Sequence, residues 1–83
     1  MYQVEFTNRA TKNFRKIDRK YQALIIAKLE ELAKDPKNAT NVKALKGGDF
    51  YRLRVADYRV IYELQNNELI ILVIDINHRK DIY

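Results

Sequence analysis

The sequence predicts an α+β domain in which a helical hairpin packs against one face of a mainly antiparallel sheet, in the order β-α-α-β-β-β. The chain has 83 residues, of which 47% are apolar, and this suits one small globular domain over residues 1–83. Apolar residues in the first half recur at helical spacing, whereas the last third alternates apolar and polar residues as strands do. This change of period sets the predicted order of elements.

A short strand and a basic helix are predicted at the start of the chain. Apolar and polar side chains alternate over residues 2–6, which indicates the strand. Thr7 or Asn8 can cap the helix that follows. The apolar residues of this helix keep four-and-three spacing and are Ala10, Phe14 and Ile17.

A second helix is predicted after Asp18, which is a candidate N-cap. Its apolar stripe is interrupted by Lys28 and consists of Tyr21, Leu24, Ile25, Leu29 and Leu32. Asp35 and Pro36 end the helix because proline disfavours helical backbone at the residue before it. Residues 37–49 are predicted to form a loop that is closed by two glycines and anchored to the core by Val42, Ala44 and Leu45.

Three consecutive strands are predicted near residues 50–55, 58–65 and 68–76. Two-residue turns at 56–57 and 66–67 would join them, and the asparagine pair at 66–67 suits a primed turn because asparagine tolerates positive φ. Residues 69–74 are apolar at every position, as expected of a central strand covered on both faces.

Arginines occupy alternate positions on the first two of these strands. Arg52 and Arg54 share the face opposite the apolar side chains, and Arg59 would lie on the same face of the next strand. Arg79 and Tyr83 follow the third strand. Guanidiniums that converge on one face repel one another, so the cluster suits the binding of an anion.

Basic residues outnumber acidic residues by 16 to 11, and they are unevenly distributed. Residues 1–20 carry a local charge of +4, residues 21–48 carry +2 and residues 49–83 carry −1. The positive potential of the arginine face would therefore come from focusing basic groups onto one side of the fold. His78 could contact a phosphate there or could instead bond to the backbone. The other residues expected to extend the patch are Lys12, Arg15, Lys16, Arg19, Lys20, Lys43 and Lys46, although scattered lysines are also typical of a solvated surface.

Composition argues against several kinds of site and location. The chain has no cysteine and one histidine, so we expect no disulfide framework, no cysteine nucleophile, no metal site and no cofactor. The longest apolar run, residues 69–74, is too short to cross a bilayer, and the first residues lack the features of a signal peptide. We therefore expect a cytoplasmic protein that does not associate with membranes.

The strand segments resemble a known family. YRLRVADYRVIYEL, the hydrophobic strand after it and the closing HRKDIY are similar to the RelE branch of the RelE/ParE toxin superfamily, the toxic halves of bacterial and archaeal type II toxin-antitoxin pairs. The resemblance covers nearly the whole chain and includes the order of elements and the LKGG loop. It implies a ribosome-dependent endoribonuclease that enters the A site, cuts the bound mRNA codon and is neutralised by a cognate RelB-like antitoxin.

The resemblance also implies which residues form the catalytic site. Arg52 and Arg54 match two basic strand residues of the family, and Arg59 matches an arginine on the following strand. Arg79 matches the arginine after the last long strand, and Tyr83 matches the closing tyrosine. Some members have lysine at the first two positions; arginine is a weaker proton donor or acceptor because its pKa stays above about 12.

The same residues suit RNA cleavage on chemical grounds. Attack of the 2′-OH on the adjacent phosphate needs an aligned nucleophile, removal of a proton, neutralisation of phosphate charge and protonation of the leaving 5′-oxygen, and it needs no metal. One histidine cannot form a proton-transfer pair, so the site would depend on electrostatic stabilisation by the arginines. Tyr83, with its ordinary pKa of about 10 lowered by nearby guanidiniums, could act as a general base or stack on a nucleobase.

Each of these residues also has a structural interpretation. Arg52 and Arg54 could form the charged solvent face of an edge hairpin, which discourages aggregation. Arg59 could pair with Glu63, and Tyr83 could be a frayed chain end. The tyrosines expected to pack in the core or at its rim are Tyr51, Tyr58 and Tyr62.

Two other functions fit the same resemblance. A ParE-like toxin would bind DNA gyrase, a protein target, and the arginine cluster argues against this function. A catalytically degenerate member would act only as a corepressor, together with its antitoxin, on operator DNA. Cleavage of mRNA on ribosomes distinguishes the nuclease from both alternatives.

Overall fold

The computed structural model describes residues 1–78, which form five strands, two α-helices and one short 3-10 helix. The strands are β1 (Gln3–Phe6), β2 (Val42–Ala44), β3 (Phe50–Val55), β4 (Tyr58–Gln65) and β5 (Ile70–His78). The helices are α1 (Asn8–Arg15), α2 (Arg19–Lys34) and the 3-10 turn Pro36–Asn38. Neither α-helix is long and apolar enough to cross a membrane. The predictions for Arg79 and Tyr83 lie outside the described residues.

The strands form one sheet in the order β1-β5-β4-β3-β2, in which β1 runs parallel to β5 and all other neighbours are antiparallel. The predicted α+β architecture and element order are confirmed, with one strand added. Residues 42–44 were expected in a loop, but they form β2 on the edge of β3. Leu45 N donates to Phe50 O and Arg54 N donates to Asn41 O, both at 2.9 Å. Three residues are too few for alternation to reveal a strand, so only pairing with β3 defines it.

The cap of α1 joins the helix to the sheet. Thr7 is the N-cap, and its Oγ1 accepts a hydrogen bond from Ala10 N at 3.1 Å and donates one to Ile74 O at 2.9 Å. Asp18 occupies the N-cap position of α2 as predicted, but its side chain makes no capping hydrogen bond. The second helix ends at Lys34, directly before the predicted stop.

Both helices contribute to a single core on one face of the sheet. The buried side chains come from both layers and include Ala10, Ile17, Ile25, Leu29, Leu32, Ala33, Leu53, Val55, Val60, Tyr62, Leu64, Ile71, Val73 and Ile76. The prediction that Leu24 belongs to the buried stripe of α2 is wrong, because its side chain is 42% exposed. Ala33, which is 2% exposed, takes part in the stripe instead.

The central strand β5 is covered on one face only. Ile71 and Val73 are buried, whereas Ile70, Leu72 and Ile74 are half-buried, so the expectation of cover on both faces is wrong. The strand also begins two residues later than predicted. Residues 66–69 form a longer connection, in which Leu69 and not the asparagine pair adopts positive φ, at 55°. The predicted tight turn at residues 56–57 is present, with Ala56 at φ 53°.

Candidate functional site

The outer face of the sheet, opposite the helices, brings three arginines together. The alternation on β3 and β4 is as predicted, because Leu53, Val55 and Val60 are buried while the residues between them are not. In the antiparallel register Arg54 lies directly opposite Arg59, and Arg52 lies opposite Ile61. Directly opposed residues project from the same face of a sheet. The tight turn at residues 56–57 therefore places two guanidiniums side by side.

A lysine joins this cluster from the edge strand. Lys43 lies directly opposite Arg52, so the register places Lys43, Arg52, Arg54 and Arg59 on one surface, called the basic face below. The ion pairs within residues 1–78 join Arg9 to Asp75 and Lys28 to Glu31, and neither involves the basic face.

The structural interpretation of Arg59 as a partner of Glu63 is wrong. Glu63 Oε1 instead accepts a hydrogen bond from Gln65 Nε2 at 2.7 Å. Like charges placed directly opposite one another in a sheet are destabilising. The basic face therefore keeps a charge arrangement that costs stability when no anion is bound.

Replacing Arg54 with threonine is expected to raise the free energy of unfolding by roughly 0.2 to 1 kcal/mol, because it removes the repulsion across the pair with Arg59. The gain should shrink at high salt, which screens exposed charges. Urea unfolding at low and high ionic strength measures both effects. Arg54→Lys is the matched control, because it keeps the charge; equal stabilisation by both variants would mean that charge repulsion is not the cause.

A group of aromatic rings lies on the helix side of the sheet, at the end of β5 and the start of β4. Asn77 pairs with Arg59, and His78 pairs with Tyr58. The Tyr58 and His78 rings meet edge to face, with centroids 4.9 Å apart, and the Tyr21 ring lies 5.5 Å from that of Tyr58. Because side chains alternate along a strand, Tyr58 and His78 project from the face that packs on the helices, opposite to Arg59 and Asn77.

The other two tyrosines on these strands have the packing role that was expected. Tyr51 stacks on Tyr62 with ring centroids 5.5 Å apart, and Tyr62 is only 1% exposed. Burial, with a further contribution from Tyr51, raises the pKa of Tyr62 to about 12. Tyr62 is therefore a neutral core residue at physiological pH and cannot serve as a base.

Asp75 joins the site to α1. It follows a β-bulge, where the register with β4 shifts between Ile61 and Tyr62. Its Oδ1 accepts hydrogen bonds from Asn13 Nδ2 at 2.7 Å and from Ile76 N at 2.9 Å. Its Oδ2 accepts one from Asn77 Nδ2 at 3.3 Å and lies 3.4 Å from Arg9 Nε. Asp75 thus holds the end of β5 against the helix and orients the amide beside the basic face.

Sequence reasoning missed this arrangement. Asp75 and Asn13 are 62 positions apart, and neither residue belongs to a recognisable motif. The alternation along β5 could have indicated that Asp75 and Asn77, which are two residues apart, lie on the same side of the strand. The alternation does not reveal the contact with α1, because that contact depends on how the helix packs.

The remaining predicted site residues are divided between two layers. Lys16, the C-cap of α1, is exposed and borders a cavity that Tyr58 and His78 also line. Lys46 is exposed in the connection between β2 and β3. The basic residues on the helices are exposed in the layer that covers the opposite face of the sheet, and they are Lys12, Arg15, Arg19 and Lys20. The proposed patch is therefore smaller on the sheet than the sequence suggested.

Comparisons with known proteins agree on the kind of protein that this chain resembles. Residues 4–83 match the family model described as the ParE toxin of a type II toxin-antitoxin system. A putative RelE-like toxin protein of Escherichia coli is 28% identical over 85 residues, covering 99% of this chain and 90% of that protein.

Solved structures show the same fold. The toxin in the intact E. coli RelBE toxin-antitoxin complex matches with a TM-score of 0.83 and 25% identity, over 94% of this chain and 96% of that one. The archaeal RelE-RelB complex of Pyrococcus horikoshii OT3 matches with a TM-score of 0.82 and 25% identity, over 94% of each chain. The first is a toxin-antitoxin complex, and the second is a complex of RelE with RelB.

Proposed function

Because the chain belongs to the RelE/ParE superfamily of toxins from type II toxin-antitoxin systems, we propose that it is a ribosome-dependent endoribonuclease that cuts mRNA in the A site. The observation that carries the proposal is the direct opposition of Arg54 and Arg59 on a face without carboxylate partners among residues 1–78. A polyanion such as RNA would neutralise that face.

The basic face suits stabilisation of charge in the transition state. The RNA 2′-oxygen loses its proton and forms a bond to phosphorus while the bond from phosphorus to the 5′-oxygen breaks. The 5′-oxygen takes a proton from water, and the products are a 2′,3′-cyclic phosphate and a free 5′-hydroxyl. Arg52, Arg54 and Arg59 would bind the phosphate oxygens, which gain negative charge during this displacement. Guanidiniums remain protonated, so they cannot remove the 2′-proton. Arg79 and Tyr83 match site positions of the family; we assign further charge stabilisation to Arg79, and to Tyr83 either the role of general base or stacking on a nucleobase.

Ribosome dependence follows from the chemistry of the residues. The basic face supplies cations but no pair of groups that titrate near neutral pH, so proton transfer would be inefficient on free RNA. Alignment of the 2′-OH with the scissile bond contributes a large part of the rate in such reactions. The ribosome would supply that alignment by holding the mRNA codon. This role places the toxin in the cytoplasm, where translation occurs.

A cognate antitoxin of the RelB type is the expected partner. The structures that this chain matches include RelE toxins bound to RelB antitoxins from E. coli and P. horikoshii. The basic face would be neutralised by an acidic antitoxin segment, which would compete with mRNA for the same arginines.

Two alternative functions are tested by the same experiment. The matching family model carries the ParE description, which favours a gyrase-directed toxin. A degenerate toxin would bind its antitoxin and operator DNA without cutting RNA. Each alternative predicts that the basic face has no catalytic role.

Purified protein is expected to cut labelled mRNA at A-site codons when programmed ribosomes are present and to leave the same mRNA intact when they are absent. The products should be separated on sequencing gels, and gyrase supercoiling should be measured in parallel. Equal cutting of free RNA would contradict ribosome dependence. Inhibition of gyrase without RNA cleavage would support the ParE-like function, and inactivity in both assays would support the corepressor.

A further inference from the structure

One flank of α2 has an exposed apolar centre and forms a shallow groove beside α1. Phe14 of α1 also lines the groove, and Gln22 Nε2 donates a hydrogen bond to Phe14 O at 2.9 Å, which holds the two helices together there. Ile26, in the middle of the groove, is 38% exposed. The residues that α2 contributes, called the α2 flank below, are Arg19, Gln22, Ala23, Ile26, Ala27 and Glu30.

The spacing along the α2 flank is that of a helix that pairs with another helix. Steps of four, three and four residues separate the members that line up along the helix, which are Arg19, Ala23, Ile26 and Glu30. Contact positions of paired helices have this spacing. The side chains that α2 buries in the core are different ones, namely Ile25, Leu29, Leu32 and Ala33. The α2 flank is therefore a second contact surface, which the core does not use.

The α2 flank is complementary to itself when two copies of the helix run antiparallel. A two-fold axis between positions 24 and 25 places Arg19 of one copy opposite Glu30 of the other. The other facing pairs are Ala23 with Ile26 and Gln22 with Ala27. Every position of the flank thus meets another position of the flank.

The charges at the two ends favour the antiparallel arrangement. Arg19 and Glu30 are both exposed, and the ion pairs within residues 1–78 use neither of them. Two copies would form two pairs of Arg19 with Glu30, one at each end of the apolar centre. A parallel arrangement would place each charge opposite its own copy, so like charges would repel. The small side chains of Ala23 and Ala27 let the helix axes approach closely, which buries both Ile26 side chains.

We propose that the α2 flank is a homodimerisation surface, on which a second copy of this chain binds with its α2 antiparallel to the first. The contact is limited to one flank of a helix and each chain carries a net charge of +5, so the dimer is weak and dissociates on dilution. The helices cover the face of the sheet opposite the basic face, so dimerisation leaves the basic face of both copies free.

Charge reversal tests the pairing directly. Arg19→Glu leaves carboxylates at both ends of the flank and Glu30→Arg leaves guanidiniums at both ends, so each variant alone should dimerise on the order of tenfold more weakly than the unmodified chain. An equimolar mixture of the two variants restores both ion pairs and should form a heterodimer with the affinity of the unmodified dimer. Sedimentation velocity up to millimolar concentration measures the association. Absence of a heterodimer in the mixture would overturn the antiparallel pairing.

Substitution at Ile26 tests the apolar centre. Ile26→Gln should weaken dimerisation on the order of tenfold, because both copies lose apolar contact. Leu24→Gln is the matched control: Leu24 is 42% exposed on the same helix and is not among the residues that line the groove, so this change should leave dimerisation unaltered. Thermal melting of each variant checks the fold. Equal weakening by both variants would overturn the assignment of the dimer to the α2 flank.

A chain that stays monomeric at every concentration would also overturn the proposal. If Ile26→Gln then weakened binding of the antitoxin, the α2 flank would be a surface for that partner instead of a second copy. Sedimentation uses neither ribosomes nor RNA, so its outcome is independent of the proposed nuclease activity. A dimer that does not cut mRNA would refute the proposed function alone, and a monomer that cuts mRNA would refute the dimer alone.

Discussion

Replacing Arg59 with alanine is expected to lower the single-turnover rate of mRNA cleavage on programmed ribosomes by about 10² to 10³, the usual cost of losing one donor aimed at developing charge. Arg59 is half-buried in β4 opposite Arg54, so the sheet directs both side chains to the same face before substrate binds. The affinity for the ribosome should change much less, because many other cations contribute to docking. Rapid-quench kinetics and an equilibrium binding assay measure the two quantities separately.

Lys34→Ala provides the matched control for loss of one positive charge. Lys34 is exposed in the last turn of α2 and lies outside the basic face and the cavity. Its replacement should leave both the cleavage rate and the ribosome affinity close to those of the unmodified protein. If Arg59→Ala instead reduced affinity and kept the rate, the basic face would be a docking surface and not part of the active site.

Raising the pH from about 9 to about 11 is expected to destabilise the protein through Tyr62, by roughly 1 kcal/mol from this residue. Burial, with a further contribution from Tyr51, raises the pKa of Tyr62 from 10.0 to about 12 in the folded chain. The unfolded chain then loses its proton first, so the stability contributed by the neutral phenol is fully present below pH 10 and is lost as the pH rises towards 12.

Tyr62→Phe isolates this effect, because phenylalanine keeps the ring that stacks on Tyr51 and removes the titrating hydroxyl. Urea unfolding of both proteins at the two pH values gives the difference in pH dependence. All other residues are the same in both proteins, so the contributions that the two share cancel. An equal loss of stability in the variant and the unmodified chain would show that Tyr62 is not the source.

Much of the basic face could be predicted because its determinants are local. The period of two along β3 and β4 assigns Arg52, Arg54 and Arg59 to the face opposite the core. The two-residue turn between these strands also sets their register, so Arg54 must oppose Arg59. Neither inference requires knowledge of the rest of the fold.

Features that depend on contacts between distant segments could not be predicted from the local sequence pattern. The strand β2 exists because β3 offers hydrogen-bonding groups to a segment whose own pattern is too short to predict a strand. The apolar run of β5 suggested cover on both faces, yet the sheet has helices on one face only. The same composition is compatible with either arrangement, so the packing of the helices decides between them.

The sequence by itself determined the fold class, the family resemblance and the alternation that collects arginines on one side of the sheet. Its local periods and the short turn at residues 56–57 carry that information. Only the tertiary structure decided that Asp75 would bind Asn13 across 62 positions and that a cavity would form between α1 and the last residues of β5. Side-chain direction follows from local backbone geometry, whereas the spacing between a helix and a sheet depends on packing of the whole core.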